Sequence, residues 1–161
     1  MKQKFFNVIL FLALGFVTLA QKKGYNGVDY DFRCKCLGTE LDGTTTLESY
    51  GKGRNYFDAS EQAKKNAVWE VIFYGIKEGS GGCSSDPLLF SPEPQKTYED
   101  FFNSFFQDKG PYLSYVSLKD EKINNKLSRN AKKGTEMQQR MVVVRVNRAG
   151  LKKYLKENKI E

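Results

Sequence analysis

Cys34, Cys36 and Cys83 are the side chains of this chain best suited to chemistry, because a thiol can form a disulfide, bind a metal or act as a nucleophile. Cys34 and Cys36 fall in an alternating run. Tyr30, Phe32, Cys34 and Cys36 are interleaved with Asp31, Arg33 and Lys35, and a period of two puts both thiols on one face of a strand. Their Cα atoms would then lie about 6.6 Å apart, at the long end of disulfide geometry. A bridge to Cys83 fits better, with Cys36–Cys83 preferred over Cys34–Cys83, and three buried reduced thiols as the alternative. A Cys-x-Cys metal site would need more ligands than Cys83 adds, so no metal or cofactor is expected. The chain has no histidine. This rules out Ser-His-Asp and Cys-His nucleophile arrangements and the His-based zinc sites.

Other constellations have structural readings that compete with chemical ones. Gly51-Lys52-Gly53 precedes a helix, as phosphate-binding loops do, but no Gly-Lys-Ser/Thr ending follows. The glycines are expected at a strand end, where they relieve a bulge or a close contact. A carboxylate pair for glycoside hydrolysis would have to come from Glu93, Glu99, Asp100 or Asp108. Most of these stand at the start of a helix, where acidic side chains favour the dipole. Lys126, Arg129, Lys132 and Lys133 cluster in the polar stretch 119–138. They read as a solvated hairpin tip or as a patch for anionic glycan or lipid. Without interleaved aromatics they do not suggest base stacking, and no nucleic-acid partner is expected.

The elements that must position these groups follow from hydrophobic spacing. The cysteine strand is followed by a turn at Leu41-Asp42-Gly43 and by a β-branched strand over 44–50. Asp58, with Glu61 three residues on, predicts a capped helix over 58–75. Ala63, Ala67 and Val71 let that helix lie close to a sheet. From Val68 to Tyr74 it is apolar almost all round and must be covered on more than one side. The stretch 77–96, rich in glycine and proline, is long for a connection and is expected to be a functional loop, with Leu88, Leu89 and Phe90 as its candidate partner contacts. Thr97 caps a predicted helix over 97–108 whose Tyr98, Phe101, Phe102, Phe105 and Phe106 keep strict helical spacing and read mainly as core. Strands are expected over 113–118 and 140–147. Asn147 would then cap a last helix, 148–158. The order β-β-α-loop-α-β-β-α predicts an α+β fold, with a small, mainly antiparallel sheet covered by helices largely on one face.

Residues 1–20 have a secretory layout. Lys2 and Lys4 precede an apolar run, Phe5 to Leu19, that ends at Ala20. The run is about fifteen residues, against the roughly twenty that a spanning helix needs. Cleavage leaves residues 21–161, the size of one ordinary domain, in a compartment where disulfides persist. The chain of 161 residues carries a net charge of +7 and stays basic without Lys2 and Lys4. That fits contact with anionic surfaces without demanding nucleic acid.

Two stretches carry a resemblance. Gly51-Lys-Gly-Arg-Asn-Tyr-Phe-Asp-Ala-Ser-Glu-Gln-Ala-Lys-Lys-Asn-Ala67 is a strand ending in Gly-x-Gly followed by an Ala-spaced helix. Val142 to Ile160 is a strand, an Asn cap and a short helix with Leu151 and Leu155 four apart. Together they resemble small α/β envelope domains of Gram-negative bacteria: the TolB amino-terminal domain, the curli-secretion protein G family and the amino-terminal domain of flagellar assembly protein T. The leader ending Leu19-Ala20-Gln21 looks like those of secreted Bacteroidota proteins. The resemblance implies an assembly or interaction protein with no catalytic residues to carry over. The expectation is therefore a non-enzymatic protein of the periplasm, the outer membrane or the exterior that works through an envelope protein or self-assembly. The alternatives are a module for anionic envelope glycan or lipid and a secreted carboxylate hydrolase.

Overall fold

Two ten-residue strands form the spine of the molecule. The computed structural model describes residues 34–91, 93–119 and 138–160. Strand β1 (Lys35–Thr39) turns at Leu41–Gly43 into β2 (Thr44–Gly53), which leads to helix α1 (Tyr56–Phe73). A two-residue strand, β3 (Glu78–Gly79), precedes the helical turn α2 (Pro94–Thr97) and helix α3 (Glu99–Phe105). A 3-10 turn over Pro111–Tyr115 runs into β4 (Val116–Leu118), and β5 (Gln138–Asn147) leads directly into helix α4 (Arg148–Glu157). The strands form one sheet in the order β3-β1-β2-β5-β4. Every pairing is antiparallel except β1 with β3, which is parallel. The protein is α+β, as its element order predicts.

The long β2–β5 ladder runs from Thr44 opposite Asn147 to Gly53 opposite Gln138. This register sets Leu47 against Val144 and Ser49 against Val142, so these buried side chains share one face of the sheet. Helix α1 lies on that face. A Cβ added at Gly51 would overlap the carbonyl oxygen of Ala59 and the backbone of Ala63, and one at Gly53 would overlap the backbone of Asp58 and Ala59. The Gly-x-Gly therefore exists to let strand and helix touch backbone to backbone. The Ser49 hydroxyl donates to the Ala63 carbonyl across the contact at 2.8 Å. The far face of the sheet carries polar groups. There the Arg145 Nε and the Thr46 hydroxyl both donate to Glu40 Oε1, at 2.9 and 3.1 Å.

The all-round burial expected of α1 holds up to Phe73, every residue from Lys65 to Phe73 being buried, but the helix ends there and Tyr74 is exposed. Phe102, Phe105 and Phe106 cover its outer side, with Phe106 5.3 Å from the Trp69 ring and Phe102 4.8 Å from that of Phe73. Helix α4 closes the same core through Leu151 and Leu155, while its Tyr154 ring lies 5.7 Å from Phe105.

Several boundaries differ from the sequence reading. Helix α1 starts two residues early, because Asn55 rather than Asp58 is the cap: its side chain accepts from the Asp58 N–H at 2.9 Å. Thr97 caps nothing. Pro94 opens a helical turn of its own, Tyr98 departs from helical geometry (φ −118°, ψ 38°), and α3 begins afterwards. The strand expected from Leu113 starts only at Val116. Pro111 sets a helical φ, and the turn sinks Tyr112 into the core. The last cap holds: Asn147 Oδ1 accepts from the Gly150 N–H at 2.7 Å. Tyr30 and Phe32, the leader, and Lys126, Arg129, Lys132 and Lys133 lie outside the described residues.

Candidate functional site

The cysteines occupy two different environments. Cys36 and Cys83 form a disulfide with Cα atoms 5.8 Å apart, which is the preferred pairing of the two weighed from sequence. Cys34 shares the inner face of the sheet but is fully buried. Its backbone N–H donates to Glu70 Oε2 at 2.7 Å and its thiol contacts the Ser49 hydroxyl at 3.3 Å. Burial, helped by the nearby Glu70 carboxylate, pushes the Cys34 thiol far above its ordinary range, so it is held neutral and unreactive.

The disulfide staples the 77–91 part of the long loop to β1, and further bonds fix the rest. The Ile76 N–H donates to the Ser84 carbonyl. The Leu88 and Leu89 N–H groups both donate to the Ile72 carbonyl at 3.0 Å, which caps the C-terminus of α1. Arg148 at the start of α4 donates to the Asp86 carbonyl at 2.8 Å. Of the three predicted contact residues, Leu89 is 5% exposed and belongs to the core, and Leu88 is half-buried against it. Phe90 is 76% exposed. The loop is thus an anchored segment that presents one aromatic ring. Of the aromatic helix, Phe102, Phe105 and Phe106 are core, and only Tyr98 and Phe101 remain partly accessible.

A cleft of about 470 Å³ opens on the outer flank of α1, against the turn that carries Asp108, Lys109 and Tyr112. Sequence reading did not bring these residues together. Lys65 is at its floor, with a side chain only 7% exposed. Its ammonium donates to Asp108 Oδ1 at 2.9 Å and sits 5.7 Å from the Tyr112 ring centroid. The Asp108 side chain is 97% exposed, and the hydrogen bond and charge of Lys65 hold its carboxyl below the usual carboxylate range. Tyr112 donates to Glu61 Oε2 at 3.3 Å, and Glu61 also pairs with Lys64 at 2.6 Å. Arg54 pairs with Asp58 at 3.1 Å at the mouth, beside Phe57. Lys65 stands off the row of Ala63, Ala67 and Val71, and no local pattern in the sequence marks its burial.

The carboxylates considered for hydrolysis have separate local settings. Glu93 pairs with Lys96 at 2.8 Å, Glu99 and Asp100 stand in the first turn of α3, and Asp108 answers Lys65. No group of acidic or thiol side chains among the described residues is arranged to hold a metal ion, and no described helix is long and apolar enough to cross a membrane.

Fold and site together define a disulfide-linked α+β protein with an anchored, aromatic-tipped loop and a charged cleft on its central helix. No family model, curated protein or solved structure matches the chain.

Proposed function

We propose that this is an exported, non-enzymatic protein of the bacterial envelope that acts through protein contact, with the 77–91 loop as its contact surface. The carrying observation is Phe90. An aromatic ring 76% exposed to solvent adjoins a leucine packed in the core, on a loop tied down by a disulfide and by helix-capping bonds. A rigidly held aromatic loses little conformational entropy on binding, and aromatic rings recur as anchors at interface centres. The disulfide supports an oxidising compartment, in keeping with the leader-like residues 1–20.

The test is expression with the native amino terminus in a Gram-negative host, followed by cross-linking and affinity recovery from periplasm, membranes and medium. A defined envelope protein should co-purify with the wild type and be lost with Phe90→Asp, while the thermal melt of the variant is unchanged. Equal recovery with Phe90→Asp would remove the loop from the reading. Salt-sensitive capture on anionic glycan or vesicles, with no protein partner, would move the reading to the basic segment at Lys126, Arg129, Lys132 and Lys133.

A further inference from the structure

The cleft on α1 holds a buried cation whose counter-ion lies almost wholly in water. The Lys65 ammonium is desolvated and needs an anion against it, because an unpaired buried charge is costly. Asp108 supplies that anion from a side chain 97% exposed, at a chain reversal where Lys109 adopts φ 61°. An ion pair with so exposed a partner contributes little, and solvent competes for the carboxylate. The other two acids of the wall are already engaged: Asp58 with Arg54, and Glu61 with Lys64 and Tyr112. Lys52 and Lys109 add positive charge to the lining. At the mouth, Phe57 offers a flat apolar surface, 69% exposed. Phe57, Glu61 and Lys65 are spaced four apart and so follow one stripe of α1. Eight residues of helix put Phe57 roughly 12 Å from Lys65 along the axis. The cleft volume also lies in the range that small-molecule sites occupy.

We propose that this cleft binds an elongated carboxylate ligand. The ligand's carboxylate displaces Asp108 from Lys65, and its far end lays a flat apolar face on Phe57. The length of the stripe calls for a ligand about two rings long. An acidic disaccharide ending in a uronate and an aryl-alkanoate share this chemistry. Asp108 acts as an internal competitor that keeps the buried ammonium paired while the cleft is empty.

The experiment is a titration of the purified, disulfide-bonded protein, followed by amide chemical shifts, with digalacturonate, 6-phenylhexanoate, acetate and inorganic phosphate. Shifts should centre on Lys65, Asp108 and Lys109 with both long carboxylates, and the tighter of the two identifies the source. Asp108→Asn should tighten carboxylate binding by up to about 5-fold, the equivalent of releasing an exposed ion pair. Lys65→Met should abolish binding. Phe57→Ala, at an exposed position that does not threaten the fold, should weaken the long ligands and leave acetate unchanged. A purely structural Lys65–Asp108 pair would give no tightening in Asp108→Asn, and that result overturns the proposal. Phosphate binding as tightly as the long carboxylates, or Phe57→Ala without effect on them, would overturn it as well.

Discussion

At the scale of single residues, burial separates three cysteines that look alike in sequence. Cys36 lies in β1 and Cys34 just before it, and only Cys36 reaches Cys83. Cys34 is enclosed by Glu70 and Ser49 and kept neutral by desolvation. Native protein should therefore resist iodoacetamide at pH 8 and take up one label per chain only when denatured, as mass spectrometry would show. The raised Cys34 pKa also sets an alkaline limit. Below the ordinary thiol value of 9.0 the thiol is protonated in both states and its contribution is fully present. Above it the unfolded thiol ionises while the buried one does not, and stability falls by about 1.4 kcal/mol per pH unit. Tyr112, raised chiefly by burial and then by Glu61, adds to the loss at higher pH. Chemical denaturation between pH 8 and 11 should show this slope, and Cys34→Ala should flatten it by that amount.

At the scale of elements, the contact between β2 and α1 depends on having no side chain at two positions. Gly51→Ala or Gly53→Ala must push the helix off the strand or bend it, at a cost of ~1–3 kcal/mol. Gly38→Ala, where a Cβ meets only open space, is the control and should stay within about 0.5 kcal/mol of wild type. Urea midpoints for the three variants compare them directly. The cap of α4 is a separable contribution. Asn147→Ala should cost about 1 kcal/mol, because the Gly150 N–H loses its acceptor. The alanine row and the Asn147 cap were legible as local patterns with one steric meaning, while the Gly-x-Gly was legible as a strand end and only the structure chose close contact over a bulge. The start of α1 was missed because Asn55 and Asp58 are both good caps three residues apart, and only the backbone path after Gly53 selects Asn55. The turn at Pro111–Tyr115 was missed for a related reason. Placing Tyr112 beneath Lys65 overrides the strand preference of the residues around it.

At the scale of the whole molecule, the Cys36–Cys83 bridge ties the first strand to the loop that caps α1, across 47 residues. On the chain-entropy account a loop of that length is worth about 4 kcal/mol. Cys83→Ala should therefore lower the unfolding free energy by about that much, and reducing the wild type should bring its melt to the same temperature. Loss of the bridge should also raise amide exchange over Glu78–Phe90 before it does so in the β2–β5 ladder, because the loop relies on the staple while the ladder has its own hydrogen bonds.

The sequence by itself determined the α+β class, the Ala-spaced central helix and the aromatic core. Hydrophobic period and glycine spacing act over a few residues, and nothing distant contradicts them. It also set aside a Cys34–Cys36 bridge, because strand geometry disfavours a bridge between neighbours two apart, while the choice of Cys36 over Cys34 as partner of Cys83 was settled by the fold. Only the tertiary structure decided the sheet order, the parallel pairing of Glu78–Gly79 with β1, and the sorting of Leu88, Leu89 and Phe90 into wall, core and surface. It alone brought Asp108 to Lys65 across 43 positions and Glu61 to Tyr112 across 51. Such meetings depend on how helix and sheet stack in space, and spacing along the chain carries no record of that.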